Sequence, residues 1–172
     1  MSTLPAKPIN PAAIVRQSSV NRSQARLAAV QALYQMDLAA TDLNAVIHEF
    51  QVHRFGATGE DAATASADAE MFADLVRGVV AHQGAIDPEL DGQLAAGWRL
   101  NRIDSILRAL MRSAVYELIA KPKVPARVVL NEYVEIAKAF FEGDEPKVAN
   151  AVLDKLAKKL RAGEFGPTHS HG

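Results

Sequence analysis

Apolar residues recur at helical spacing along most of the chain, and almost no segment alternates between apolar and polar residues as a strand does. In the first third, two such runs follow each other, one with Leu27, Val30, Tyr34 and Leu38 and one with Leu43, Val46, Ile47 and Phe50. Because residues three or four apart share one face of a helix, these runs predict a helical hairpin. Asn21 or Ser23 can cap its first helix, so we expect the fold to begin near Asn21.

The middle of the chain predicts a loop and then two helices. Residues 56–70 are small and acidic, which indicates a surface loop or a frayed helix start. A third helix is marked by Met71, Phe72, Leu75, Val79 and Val80. Asp87 and Pro88 have the pattern of a cap followed by a first-turn proline, so we expect a short fourth helix there. Gly92 and Gly97 bracket the break that follows.

The second half has the clearest pattern. One apolar stripe consists of Ile103, Ile106, Leu107, Leu110, Ala114 and Leu118. Residues 121–125 contain two prolines and end that helix, and another helix follows Pro125. The last helix begins near Asp144 and carries apolar residues through Leu160. We therefore expect an all-α protein with about seven helices.

The two ends of the chain differ from this pattern. Residues 1–20 hold three prolines among polar residues and predict a flexible basic tail, and residues 163–172 predict a disordered tail. The helical domain is expected to span residues 21–162. His169 and His171 form a poor metal site, because two ligands in a flexible tail fix no geometry. We expect neither a metal nor a cofactor.

Composition limits the location and the chemistry. The absence of cysteine excludes disulfides, thiolate metal sites and cysteine nucleophiles, and it is usual in a reducing cytoplasm. No apolar stretch approaches the roughly 20 residues that a membrane-spanning helix needs, and residues 1–20 lack the apolar region of a signal peptide. The sequence therefore predicts a soluble cytoplasmic protein. Its 172 residues fit one domain, or two small subdomains that share a core.

Positive charge is concentrated at the start of the chain. Residues 1–36 carry a net charge of +4, against −1 for the whole chain, so the remainder carries −5. Arg22 and Arg26 share one face of the first predicted helix and lie in its first turns, where free backbone N–H groups suit phosphate oxygens. This arrangement predicts a site for an RNA backbone. The alternative is that both guanidinium groups pair with the acidic loop or with glutamates of another helix.

Catalytic motifs are absent from the sequence. It has no glycine-rich phosphate loop, no GxSxG, no HExxH and no Ser-His-Asp grouping, so we expect no enzyme activity. The histidines on predicted helices, His48, His53 and His82, are expected at the surface or at caps. Arg161 lies in the last turn of the final helix, where a cation complements the helix dipole. Lys147 lies at the start of that helix and has no such explanation.

Four segments carry a further pattern. They are ARLAAVQALYQMDL from Ala25 to Leu38, LRALMRSAVYEL from Leu107 to Leu118, VPARVVLNEYVEIAKAF from Val124 to Phe140 and VANAVLDKLAKKL from Val148 to Leu160. The first is similar to the family pattern AR-x-x-A-x-Q-A-L-Y, and the four stand in the order that the family has. The chain therefore resembles the NusB family of transcription antitermination proteins.

The resemblance implies a fold and a role. It implies two helical subdomains packed across each other, at about residues 21–97 and 98–162. It also implies a non-catalytic adaptor that binds the boxA element of nascent ribosomal RNA together with the ribosomal protein NusE. That pair joins an antitermination complex on RNA polymerase.

The RNA-binding positions that the resemblance implies lie at two helix starts. The arginine-rich start of the family's first helix falls on Arg22 to Arg26, with Ser23 and Gln24 where relatives often have arginines. A second RNA-facing region falls on Lys147 and Val148, where some relatives have an aromatic residue in place of the valine.

The partner-binding positions come from the same resemblance. Tyr34 matches a family tyrosine associated with the protein partner, and its alternative is an ordinary core aromatic. A charged partner-binding position of some relatives falls on Leu107. The signature positions Asn131, Glu132, Asn150 and Asp154 are expected mainly as caps or buried hydrogen bonds.

Two other classes of protein stay open at this point. RNA cytosine methyltransferases carry a NusB-like helical domain ahead of their catalytic domain, although this chain ends after the last helix without a glycine-rich βαβ unit. The other alternative is a dimeric protein-binding scaffold. Family members differ in oligomeric state, so a homodimer is also retained as an alternative.

Overall fold

The computed structural model describes residues 10–56 and 63–166, and these contain six α-helices and no strand. The helices are α1 (Pro11–Ala39), α2 (Leu43–Glu49), α3 (Ala69–Gln93), α4 (Ser105–Ala120), α5 (Ala126–Phe140) and α6 (Glu145–Leu160). A π-helical turn at Phe50–Arg54 continues α2, and a 3-10 turn at Ala162–Glu164 follows α6. The all-α prediction is confirmed. The expectations for residues 1–9, for residues 57–62 and for His169 and His171 fall outside the described part of the chain.

Helix α1 begins at Pro11, ten residues before the predicted start at Asn21, so that prediction was wrong. The side chain of Asn10 accepts a hydrogen bond from the Ala12 N–H at 3.0 Å, and Pro11 occupies the first turn. These are the ordinary signals of a helix start, and the surrounding prolines masked them. The first buried residue of α1 is Ala25, so residues 11–20 are helical but lie outside the core.

Helix α3 continues through Pro88, so the separate short helix predicted there does not exist. Ile86 and Leu90 are fully buried on either side of the proline and hold this part of the helix against the core. Arg112 of α4 makes two hydrogen bonds of 2.8 Å to the Asp87 carboxylate. These contacts offset the backbone hydrogen bond that a proline cannot donate.

Helix α4 is the centre of the fold. It packs against α1, α3, α5 and α6. The stripe predicted from the sequence accounts for this position, because Leu107, Leu110, Ala114 and Leu118 are all buried. Asp104 caps its first turn, accepting hydrogen bonds from the N–H groups of Ile106 and Leu107, and α4 ends before the two prolines of the following loop.

A 3-10 turn continues past Gly163 and the structure describes the chain through Gly166, so the predicted tail does not begin at Gly163; the prediction for residues 167–172 falls outside the described part of the chain. Arg161 is only 9% exposed, and it donates hydrogen bonds to backbone carbonyls at the end of α4 and in the following loop, namely those of Glu117, Leu118, Lys121 and Val124. Arg161 therefore caps the end of α4, in addition to complementing the dipole of α6. Glu164 accepts hydrogen bonds from the Ala126 N–H and from Arg161, which hold the pKa of Glu164 below its usual value.

Among the helices of the described residues, none combines the length and the apolar character needed to cross a membrane.

Candidate nucleic-acid interface

Arg22 lies in the middle of α1, because the helix begins at Pro11. The free N–H groups of a helix start are therefore absent at Arg22 and Arg26, and that part of the phosphate-binding argument was wrong. The Arg22 side chain is exposed and donates a hydrogen bond of 2.6 Å to the Ser18 hydroxyl. It remains accessible to an anion.

Arg26 is buried, with 2% of its surface exposed. Its Nε and Nη2 atoms donate hydrogen bonds of 2.9 and 3.0 Å to the two oxygens of Glu117, which is itself fully buried. A Glu132 oxygen lies 3.7 Å from Nη1 of Arg26. Arg26 therefore pairs with glutamates of other helices, which was the alternative to RNA binding. The expectation that Arg26 contacts RNA is therefore contradicted, since no ligand can reach it.

The ion pair belongs to a buried network that joins three helices. The Tyr133 hydroxyl of α5 donates to Glu117 of α4 at 2.5 Å, and Ser113 lies 2.7 Å from the same hydroxyl. Burial and the Glu117 carboxylate raise the pKa of Tyr133 well above its usual value, so the hydroxyl keeps its proton. Burial alone would lower the pKa of Arg26, but its hydrogen bonds and charge interaction with Glu117 raise it. A buried network with its partners in place fixes how α1 sits on α4 and α5.

One polar contact at the edge of this network connects α1 to the surface of α5. The Ser23 hydroxyl donates to Glu132 at 2.8 Å, and both side chains are partly buried. Arg22 precedes Ser23 in α1, and Asn131 precedes Glu132 in α5. The contact therefore joins α1 to α5 next to two exposed residues, Arg22 and Asn131.

A cleft of about 360 Å³ lies between α5 and α6. We call it the α5–α6 cleft, and its lining residues are Asn131, Val134, Glu135, Lys138, Pro146, Lys147 and Asn150. Lys147 is exposed at its edge, whereas Val148 is half-buried and packs against the core. Asn131 and Asn150 are exposed and cap no helix, which corrects their predicted role as caps or buried hydrogen bonds.

A second surface feature surrounds Tyr34. It is an apolar groove of about 450 Å³, and its lining residues are Val30, Gln31, Tyr34, Gln35, Leu38, Ala39, Arg54, Ile106 and Phe140. We call it the Tyr34 groove. Leu38 and Phe140 are 63% and 39% exposed, so this groove brings exposed apolar side chains together in one patch. The half-buried Tyr34 forms part of the wall of this groove.

Leu107 does not reach that surface. It is fully buried in the core, so a contact with a protein partner is excluded and the expectation was wrong. The preceding residue, Ile106, lines the Tyr34 groove in its place. Phe140 was not predicted to line this groove, although a large apolar side chain on the last residue of a helix is a signal of such a surface position.

Comparison with known proteins identifies the family. The model of the NusB family matches residues 23–158. The transcription antitermination protein NusB of Maricaulis maris is 51% identical over 144 residues, which cover 84% of this chain and 90% of that protein.

Solved structures agree with this match. Thermotoga maritima NusB is 29% identical, with a TM-score of 0.69 over 84% of this chain and 96% of that one. A chain in a structure described as "Crystal Structure of a Plectonemic RNA Supercoil" is 27% identical, with a TM-score of 0.63 over 81% of this chain and 95% of that one. The chain therefore belongs to the NusB family of non-catalytic transcription antitermination factors.

Proposed function

We propose that this protein is a cytoplasmic adaptor that binds boxA RNA through α1, α5 and the start of α6, and binds NusE through the Tyr34 groove. The observation that supports the RNA part most directly is the exposure of Arg22 on α1 and of Lys147 in the α5–α6 cleft, with α1 and α5 joined by the Ser23–Glu132 hydrogen bond. Membership of the NusB family supports the pairing with NusE and the place in an antitermination complex on RNA polymerase.

The charge of this surface suits a polyanion but is sparse. Asp37 is the first acidic residue of the sequence, so the exposed part of α1 carries Arg16 and Arg22 without a carboxylate. With Arg26 buried, few cations remain to contact phosphates. Each neutralised phosphate adds salt-dependent affinity, so we expect modest binding by the protein alone and tighter binding with NusE.

Replacing both Arg22 and Lys147 with alanine is expected to reduce the salt dependence of boxA binding. Each phosphate contact on a single strand contributes roughly 0.7 to the slope of log K against log salt concentration, so the slope falls by roughly 1.4. Fluorescence anisotropy titrations at several salt concentrations measure this change. The matched control is the variant with Lys158→Ala and Lys159→Ala, which removes the same charge at the other end of α6. Equal slopes for the two variants would argue against the proposed RNA surface.

Replacing Tyr34 with alanine is expected to weaken NusE binding at least about tenfold, because aromatic side chains in a pocket contribute most to such interfaces. Isothermal titration calorimetry with purified NusE gives the dissociation constant. Trp98→Ala is the control, since Trp98 is a partly exposed aromatic residue in the loop between α3 and α4. Circular dichroism verifies that both variants are folded. If the Tyr34 and Trp98 variants bind NusE alike, the Tyr34 groove is not the partner site.

A further inference from the structure

Two exposed asparagines line the α5–α6 cleft, and within the part of the chain that the structure describes their side-chain amides make no hydrogen bond to the protein. Asn131 of α5 and Asn150 of α6 are both exposed, and neither side chain makes a hydrogen bond within the described residues. Both lie in helix interiors, where asparagine is less favourable than alanine by a fraction of a kcal/mol. No hydrogen bond within the described residues requires an amide at either position.

The cleft around these amides has the size and charge for one nucleotide of an RNA strand. Its volume of about 360 Å³ lies in the usual range of small-ligand sites. Glu135, the carboxylate in the cleft, pairs with Lys138 at 3.1 Å. The lining side chains therefore carry a net charge of +1, which Lys147 supplies.

The chemistry of the two side chains favours a base over a phosphate. An asparagine amide presents a hydrogen-bond donor and an acceptor side by side, which match adjacent acceptor and donor groups on the edge of a base. An unpaired adenine offers two such pairs, N7 with one hydrogen of the N6 amino group and N1 with the other, so each of two amides can bind one pair. Lysine contacts to phosphate give affinity without distinguishing one sequence from another.

We propose that Asn131 and Asn150 bind the edge of one unpaired adenine of the RNA and thereby give the protein part of its preference for boxA. This inference rests on the proposed RNA-binding function and adds the residues that determine sequence preference. The neighbouring cations, Arg22 and Lys147, then contribute affinity for any RNA, whereas the two amides contribute the difference between one sequence and another.

The test compares boxA RNA with a scrambled RNA of the same composition at fixed salt, for the wild-type protein and for the double variant with Asn131→Ala and Asn150→Ala. The preference for boxA is expected to fall at least about fivefold, the low end of what a bidentate base contact contributes, while the affinity for scrambled RNA stays the same. Lys147→Ala is the control, and it is expected to weaken both RNAs alike. Alanine is a good helix former, so we expect the variants to keep their helicity.

Adenine analogues identify the atoms involved. Each adenine of boxA is replaced in turn by purine, which lacks the N6 amino group, or by 7-deazaadenine, which lacks the N7 acceptor. For the wild-type protein, one position is expected to lose at least about fivefold in affinity with both analogues. For the double asparagine variant, the same analogues are expected to have no further effect.

Three outcomes would overturn the inference, and they differ in whether the proposed RNA-binding function also fails. If the wild-type protein prefers boxA and the double variant keeps that preference, the amides do not bind the base, although the proposed function stands. If the double variant keeps its boxA preference but binds NusE more weakly, the cleft is a protein contact. If the wild-type protein does not distinguish boxA from scrambled RNA, both the proposed function and this inference fail.

Discussion

Arg26→Ala is expected to lower the free energy of unfolding by about 3–5 kcal/mol, the usual effect of removing one partner of a buried ion pair. The substitution leaves Glu117 fully buried without its cation. Tyr133 and Ser113 remain in the network, but neither hydroxyl neutralises a carboxylate. The large effect therefore comes from the uncompensated charge that stays behind.

Urea unfolding followed by circular dichroism measures this loss. Arg22→Ala is the matched control, because it removes the same side chain one turn earlier in α1 from an exposed position, where changes are usually within about 0.5 kcal/mol. A second variant, with Arg26→Met and Glu117→Gln, is expected to recover much of the stability since it buries no charge. If Arg26→Ala loses no more stability than Arg22→Ala, the ion pair does not stabilise the fold as described.

The same pair of variants separates a structural arginine from an RNA-binding one. At a temperature where both are folded, Arg22→Ala is expected to reduce the salt slope of boxA binding, and Arg26→Ala is expected to leave it unchanged. Both residues stand in the basic start of the sequence, but only one is exposed.

Periodicity predicted most of the helices because α1, α3, α5 and α6 each bury apolar residues against α4. It was less reliable where a local signal competed with packing. Pro88 has the pattern of a helix start, but the burial of Ile86 and Leu90 keeps α3 continuous. At Pro11 a helix start was overlooked. Its cap and first-turn proline lie among other prolines, and the first buried residue of the helix is Ala25.

The candidate site was harder to predict, since it depends on contacts between residues far apart in the sequence. Arg26 pairs with a glutamate 91 residues away, which no local pattern indicates. One clue was available, because Arg26 stands three, four and seven residues before the buried Ala29, Val30 and Leu33 and so belongs to their face of α1. The same reasoning applies to Leu107, whose place in the apolar stripe of α4 outweighs the partner role that alignment with relatives implied.

Gly78→Ala is expected to lower the free energy of unfolding by about 1–3 kcal/mol or somewhat more, as overpacking of a core does. A Cβ atom at Gly78 would lie only 2.0 Å from Cζ of Tyr116, far inside van der Waals contact. The ring is 6% exposed, and its hydroxyl donates to Asp74 at 2.9 Å. Burial and that hydrogen bond raise the pKa of Tyr116 to about 12, so the hydroxyl remains a donor. The ring cannot move away without giving up this contact.

A loss of stability on Gly78→Ala would be informative, because alanine in place of glycine usually raises the free energy of unfolding by roughly 0.5–1 kcal/mol at an exposed helix position. Gly84 is the matched control, since it lies in the same helix and a Cβ there meets nothing within 4 Å. We expect Gly84→Ala to raise the free energy of unfolding and Gly78→Ala to lower it. In a Tyr116→Ala background the clash is absent, so Gly78→Ala is expected to become neutral or stabilising. If Gly78→Ala stabilises the otherwise unchanged protein as Gly84→Ala does, the Tyr116 ring does not pack on α3 at this glycine.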